Sequence, residues 1–279
     1  MRFWNRFRRN PGAVIGLLVL SAICGAALLA PLFYPGSPWQ MAGTPFLPPG
    51  ESAAFPLGTD MLGRNIAAGT LYGARVSLMV GLASTVLACG IGILFGALAG
   101  YYGGWMDDLL MRVTEFFQIL PSFVVAVVLV AILSPSLSAV IGAIAVISWP
   151  PVARLVRSEF LALRAREFVQ AALVIGQSNT RIITTQILPN ALPPIIVMAS
   201  LMVATAILLE SGLSFLGLGD PSQMSWGFMI GAARPMLRQA WWMSFFPGVA
   251  ILLTVLAINL VGEGLNDAFN PRSARKGRA

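Results

Sequence analysis

Between Glu115 and Arg154 the chain runs for 38 residues without a charge, and between Arg75 and Asp107 it runs for 31. Only 10% of its 279 residues are charged and 57% are hydrophobic, whereas a soluble domain carries about a quarter charged residues. Such stretches suit a hydrocarbon solvent, in which each backbone N–H and C=O must be paired within its own helix. The chain therefore reads as an all-α polytopic membrane protein.

Gly12 to Ala30 gives the first span, 19 uncharged residues of which nine are Leu, Ile or Val. That is about 28 Å of helix against a hydrocarbon thickness of roughly 30 Å. Arg2, Arg6, Arg8 and Arg9 precede it. It exceeds the roughly 7 to 15 apolar residues of a signal peptide, and no clean cleavage site follows, so a retained anchor is expected. The second span centres on Gly81 to Gly100, where Gly92, Gly96 and Gly100 form a ridge that admits another helix closely. The 38-residue run would be about 57 Å of helix, too long for one crossing. Ser134-Pro135-Ser136 supplies a turn, so two spans joined by a short hairpin are expected, the second from Leu137 to Ala153 with Pro150 and Pro151 at its exit. A fifth span is expected from Ala191 to Ser211 and a sixth from Ser244 to Gly262.

Six spans put both termini on one side. That side carries 14 of the 18 basic residues, the opposite side only Arg64, Arg75, Arg234 and Arg238. By the positive-inside rule both termini are expected in the cytoplasm, and the net charge of +7 reflects orientation rather than nucleic-acid binding. The composition also excludes chemistry. There is no His, the two cysteines Cys24 and Cys89 lie in apolar runs, and the only Lys is Lys276 in the tail. No metal site, disulfide framework or phosphate-binding P-loop is expected, and no catalytic residue or cofactor.

Outside the spans, 35–56 holds six prolines and is expected to be an irregular non-cytoplasmic loop, followed by a helix start capped by Thr59 or Asp60, with Arg64 one turn on. The expected organisation is 1–34 as cytoplasmic N-terminus and first span, 35–73 as outer loop and interfacial helix, and 74–279 as core. Within the core, 154–189 is too long for a turn. Leu161, Ala165, Phe168, Ala172 and Ile175 recur at helical spacing as one apolar stripe. Gly176 is expected to end that helix, and Ser178 or Asn179 to cap a shorter one that Leu188-Pro189 stops. Glu210 ends an apolar run where a carboxylate is costly and often functional. It is a candidate for the substrate path, and its blander reading is an outer-interface residue paired with an Arg such as Arg234. Trp226, Trp241 and Trp242 are expected as interface anchors.

Gln170-Ala171-Ala172, Gly176 and Leu188-Pro189 resemble the cytoplasmic EAA loop of ABC importer permeases, with Gln170 at the glutamate position. Phe55-Pro56-Leu57-Gly58-Thr59-Asp60, Leu62-Gly63-Arg64, Arg166-Glu167-Phe168-Val169, Leu213-Ser214-Phe215-Leu216-Gly217-Leu218-Gly219 and Ser225-Trp226-Gly227 are similar to the dipeptide, oligopeptide and nickel permeases. The resemblance implies a type I importer permease fold in a bacterial inner membrane. It also implies a second, related permease subunit, two cytoplasmic ATPase subunits and an extracytoplasmic solute-binding protein. Glu167, Gln170, Ala171, Ala172 and Gly176 would contact the ATPase, with Leu188 and Pro189 framing the loop. An ion-gradient-driven secondary transporter is the alternative, and it predicts ionisable residues at mid-span. Only Glu115 and Glu210 approach that description. An intramembrane hydrolase would have to use Lys276 or the Asp107-Asp108 pair.

Overall fold

The computed structural model describes residues 2–269, so the C-terminal basic residues Arg272, Arg275, Lys276 and Arg278 lie outside the described residues. Its helices are α1 (Arg2–Phe7), α2 (Pro11–Phe33), α3 (Ile66–Tyr102), α4 (Gly104–Ile119), α5 (Ser122–Leu133), α6 (Leu137–Arg164), α7 (Glu167–Val174), α8 (Asn179–Arg181), α9 (Leu188–Phe215), α10 (Trp226–Ala233) and α11 (Trp242–Phe269). Five stretches are long and apolar enough to cross a membrane: α2, α3, α6, 179–215 and α11. The third expected span is instead a bent pair, α4 and α5, that turns through 88°.

The bend replaces the straight third span expected from the sequence. Pro121 pushes the preceding residue out of the helical region, and Leu120 is extended with ψ 135°. The 12 residues of α5 reach only about 18 Å at 1.5 Å per residue. At the expected hairpin, Ser134 has φ +66°, and Ser136 caps α6 by accepting from the Ala139 N–H at 3.3 Å. Pro150 and Pro151 do not end that helix as expected. It continues to Arg164, because Trp149, Val152, Ala153, Val156 and Phe160 hold its buried face on both sides of the prolines.

The glycine ridge of α3 lies against α6. A Cβ on Gly96 would stand 2.4 Å from the Ala153 carbonyl oxygen, one on Gly92 2.5 Å from the Val152 Cβ, and one on Gly100 2.7 Å from the Arg157 carbonyl oxygen. The two helices meet at a separation that no side chain permits. Val152, Val156 and Phe160 then pack with Ala97 and Tyr101 of α3 and with Val169, Ala172, Ile182, Ile187 and Ala191, so one core runs from the bundle into the 154–189 segment.

The helix expected to start at Thr59 or Asp60 starts at Ile66 instead. Asn65 is the cap, its side chain accepting from the Ala67 and Ala68 N–H groups. Thr59 and Asp60 fold the loop between α2 and α3: the Thr59 hydroxyl donates to the Thr44 carbonyl at 2.6 Å and accepts from the Leu47 N–H at 2.9 Å, while Asp60 pairs with Arg64. Trp242 donates its indole N–H to the Thr59 carbonyl at 3.0 Å, and Trp226 donates to the Thr70 carbonyl at 2.8 Å. Both tryptophans are buried, so they are core residues and not interface anchors; Trp241 remains exposed. In α2, Pro31 has no N–H to give the Ala27 carbonyl one turn back. Arg75 of α3 supplies that donor from its Nε at 2.6 Å, and its terminal nitrogen reaches the Leu28 carbonyl at 3.0 Å.

The ridge generates a test of opposite signs. Gly96→Val forces α3 and α6 apart and is expected to cost about 1–3 kcal/mol. At Gly90, where a Cβ would meet nothing within 4 Å, Gly→Ala is expected to gain about 0.5–1 kcal/mol. Thermal melting in detergent measures both, and equal shifts would remove the ridge from its packing role.

Candidate functional site

The segment 154–189 is a helical knob, built differently from its expected form. Helix α6 stops at Arg164, and Arg166 is extended with ψ 148° before α7 begins. The helical register is therefore not carried across, and the expected stripe from Leu161 to Ile175 is split. Ala172 is buried, joined by Val169, while Leu161, Phe168 and Ile175 are exposed. Val174 and Ile175 at the end of α7 are 87% and 73% exposed, an apolar tip that none of the described residues covers.

Gly176 ends α7 as expected. Its φ is +77°, a region closed to most side chains. Its N–H donates to the Leu173 carbonyl at 3.0 Å, and the Gln177 N–H donates to the Ala172 carbonyl at 3.0 Å, the bond pair of a Schellman ending. The Gln170 side-chain amide donates to the Arg164 carbonyl at 2.9 Å, closing the end of α6 onto α7. A glutamate carboxylate, which has no proton to give, cannot make that bond.

Leu188-Pro189 does not stop the second helix. A π-helical turn, Ile182–Ile187, runs directly into α9, and the chain stays helical through Pro189, from Asn179 to Phe215. In this turn the Thr184 hydroxyl donates to the Thr180 carbonyl at 2.8 Å and the Thr185 hydroxyl to the Arg181 carbonyl at 2.6 Å. The knob is tied back to α3 by the Tyr101 hydroxyl, which donates to Asn179 Oδ1 at 2.8 Å. Glu167, Gln170 and Ala171 are thus brought together on the exposed side of α7, and Gly176 is exposed at its end. Ala172 is turned inward, and Pro189 is exposed beside half-buried Leu188.

Glu210 is 3% exposed and does not pair with Arg234, which lies over the Phe215 ring. Its carboxylate accepts from the Ser214 hydroxyl at 2.7 Å and from the Ser77 hydroxyl at 3.3 Å. Ser77 in turn accepts from the Trp226 N–H at 3.3 Å, so the carboxylate links α3, α9 and α10. The cavity beside it, lined also by Val80, Asp220 and Gln223, holds about 10 Å³, room for about one water. A wider cleft of about 660 Å³ opens between α4 and α6, lined by Asp108, Arg112, Glu115 and Arg154. Arg157 and Asp107 bridge it by a two-pronged ion pair. Among the described residues no group of acidic or cysteine side chains is arranged to hold a metal.

Asp220 was not expected as a structural residue, although Asp220-Pro221-Ser222 carries an Asx-turn signal. Its carboxylate accepts from the Ser222 hydroxyl at 2.6 Å and N–H at 2.8 Å, and from the Leu137 N–H at the start of α6 at 3.0 Å. The Ser222 hydroxyl bond, with the backbone donors, outweighs burial and holds the carboxyl below its ordinary value.

These helices are those of a polytopic membrane protein. A family model described as the binding-protein-dependent transport system inner membrane component matches residues 92–275, and one for the N-terminal transmembrane domain of oligopeptide transport permease C matches residues 1–49. The chain is 41% identical to the di/tripeptide transport system permease protein of Pseudomonas aeruginosa, over 97% of this chain and 91% of that one. It is also 41% identical to the dipeptide transport system permease protein of Alkalihalophilus pseudofirmus, over 96% and 88% of the two. In fold it is similar to an inward-facing form of the MetNI methionine ABC transporter, with a TM-score of 0.58 and 19% identity, over 70% of this chain and 93% of that one. The chain belongs to the binding-protein-dependent transport system inner membrane component family. It is a multi-pass, non-catalytic permease subunit of an ABC importer in the inner membrane.

The Asp220 geometry gives a pH test. Because the native pKa is depressed, the stabilisation is complete above the ordinary carboxylate value of 3.8 and is lost as pH falls through the native value. The melting difference between wild type and Asp220→Asn should be constant near neutrality and shrink in acid. A difference that persists undiminished to about pH 3 would detach it from this carboxylate.

Proposed function

We propose that this chain forms, with a second related permease, the path by which a peptide or related small solute crosses the inner membrane, driven by two cytoplasmic ATPase subunits and supplied by an extracytoplasmic binding protein. The peptide substrate class is carried over from the names of the relatives in P. aeruginosa and A. pseudofirmus. Both termini face the cytoplasm in this reading, with 1–34, 35–73 and 74–279 as anchor, outer loop and core.

The observation that carries the coupling role is the uncovered apolar tip Val174-Ile175, held at a fixed angle by the Gly176 ending. Without a P-loop in this chain, the ATP-driven step comes from another subunit. In this reading α7 presents Glu167, Gln170 and Ala171 to a groove on the ATPase, Ala172 packs beneath, and Leu188 and Pro189 frame the return into α9. Closure of the ATPases then displaces the knob, and the shared core carries the displacement to α3, α6 and α9. Taking a 1:99 population of two states to 99:1 requires about 5.5 kcal/mol of bias.

Gly176→Val places a β-branched residue at φ +77° with nothing within 4 Å to clash, so its cost is backbone strain of about 1–2 kcal/mol. Transport-coupled ATP hydrolysis is expected to fall several-fold with insertion and assembly intact. Unchanged coupling would count against docking at this loop.

Glu210 belongs to the substrate path in this reading, exposed to solute only when α3, α9 and α10 separate, since its cavity now admits about one water. Glu210→Gln is expected to lower uptake of substrates bearing a free amino group more than of those without one. An unaltered substrate range in uptake assays excludes direct contact.

A further inference from the structure

The N-terminal segment contains a surface that neither the transport path nor the coupling loop uses. Phe7 is 3% exposed, packed with Ala13 and Ala268, and a Cβ on Gly264 would stand 3.0 Å from its ring. The Asn10 amide donates to Asp267 at 2.9 Å, and Asn10 Oδ1 accepts from the Ala13 N–H at 3.1 Å. Helix α1 is therefore held in one position against the ends of α2 and α11. From that position it exposes Phe3 and Trp4. The Arg8 guanidinium lies 4.8 Å above the indole ring, and that ring stacks on Phe7 at 5.7 Å. Arg8 and Arg9 are exposed and Arg6 is half-buried. None of the three makes an ion pair with a described carboxylate. The acidic groups at that end of α11 are Asp267, engaged with Asn10, and Glu263, which is exposed.

Exposed aromatic rings beside uncompensated guanidinium groups, fixed where a spanning helix begins, match the headgroup layer of a bilayer: rings at the acyl boundary, cations at the phosphates. We propose that Arg6, Arg8 and Arg9, framed by Phe3 and Trp4, bind the phosphate groups of anionic phospholipids. Guanidinium forks suit phosphate oxygens in pairs, and the anchorage of Phe7 and Asn10 means that little ordering is needed on binding. The surface holds lipid beside α2 and α11 without entering the transport cycle.

The test uses the full transporter in nanodiscs of phosphatidylcholine containing a fixed fraction of phosphatidylglycerol, with retained lipid counted by native mass spectrometry after extraction. Wild type is expected to retain phosphatidylglycerol in preference, and the preference should fall in about 0.5 M salt. Replacing Arg6, Arg8 and Arg9 together by Gln should lower it at least about fivefold, the change expected from one arginine near an anionic surface. Replacing them by Lys should keep most of it. Unchanged preference in the Gln variant overturns the proposal. If that variant inserts with inverted topology, the wild type decides alone, and a preference indifferent to salt overturns the proposal equally.

Discussion

Hydrocarbon gives helices no hydrophobic reason to associate, so a bundle in a membrane is held by close packing and by polar bonds between its members. Here the packing is concentrated where Gly92, Gly96 and Gly100 of α3 lie against the backbone of α6. That approach brings Val152, Val156 and Phe160 onto Ala97 and Tyr101, and the same residues form the floor on which Val169 and Ala172 of α7 rest. The ridge in the span thus fixes the position of a short helix outside it.

Three polar contacts complete the arrangement at that end. Gln170 closes the α6 terminus, Tyr101 holds Asn179, and Arg164 lies over the Tyr101 ring. The knob is consequently attached to three helices, to α6 and α9 through the chain and to α3 through side chains. Its buried face shares one core with α3 and α6, so the knob and the bundle are packed together as well as joined through the chain. At the opposite end Glu210 and Asp220 serve a similar end with carboxylates, one joining α3 to α9 and α10, the other joining the α9–α10 connection to α6.

The uncharged runs, the glycine ridge and the Gly176 ending were legible because each depends on local chemistry that a few residues determine. The turn at Ser134-Pro135-Ser136 was legible for the same reason. Pro150, Pro151 and Pro189 misled, since a proline ends a helix only when nothing else holds the chain helical; burial against α3 in one case and a widened turn in the other overrode it. The stripe from Leu161 to Ile175 assumed one unbroken helix, and the break at Arg166 sent its residues to different faces. The partners of Glu210 lie 133 and 4 residues away, and only the nearer falls at helical spacing in the sequence. The burial of Trp226 and Trp242 likewise depends on distant backbone carbonyls, at Thr70 and Thr59.

Pro31 and Arg75 form a different sort of unit. The proline leaves the Ala27 carbonyl without its helical donor, and a guanidinium from the adjacent helix takes the vacant role. An arginine facing lipid is otherwise a burden on membrane insertion, so its retention depends on a defect in its neighbour. Evolution should therefore treat positions 31 and 75 as a single character. Lineages that restore an ordinary residue in the first helix are released to discard the arginine, and those that discard the arginine first inherit a bare carbonyl.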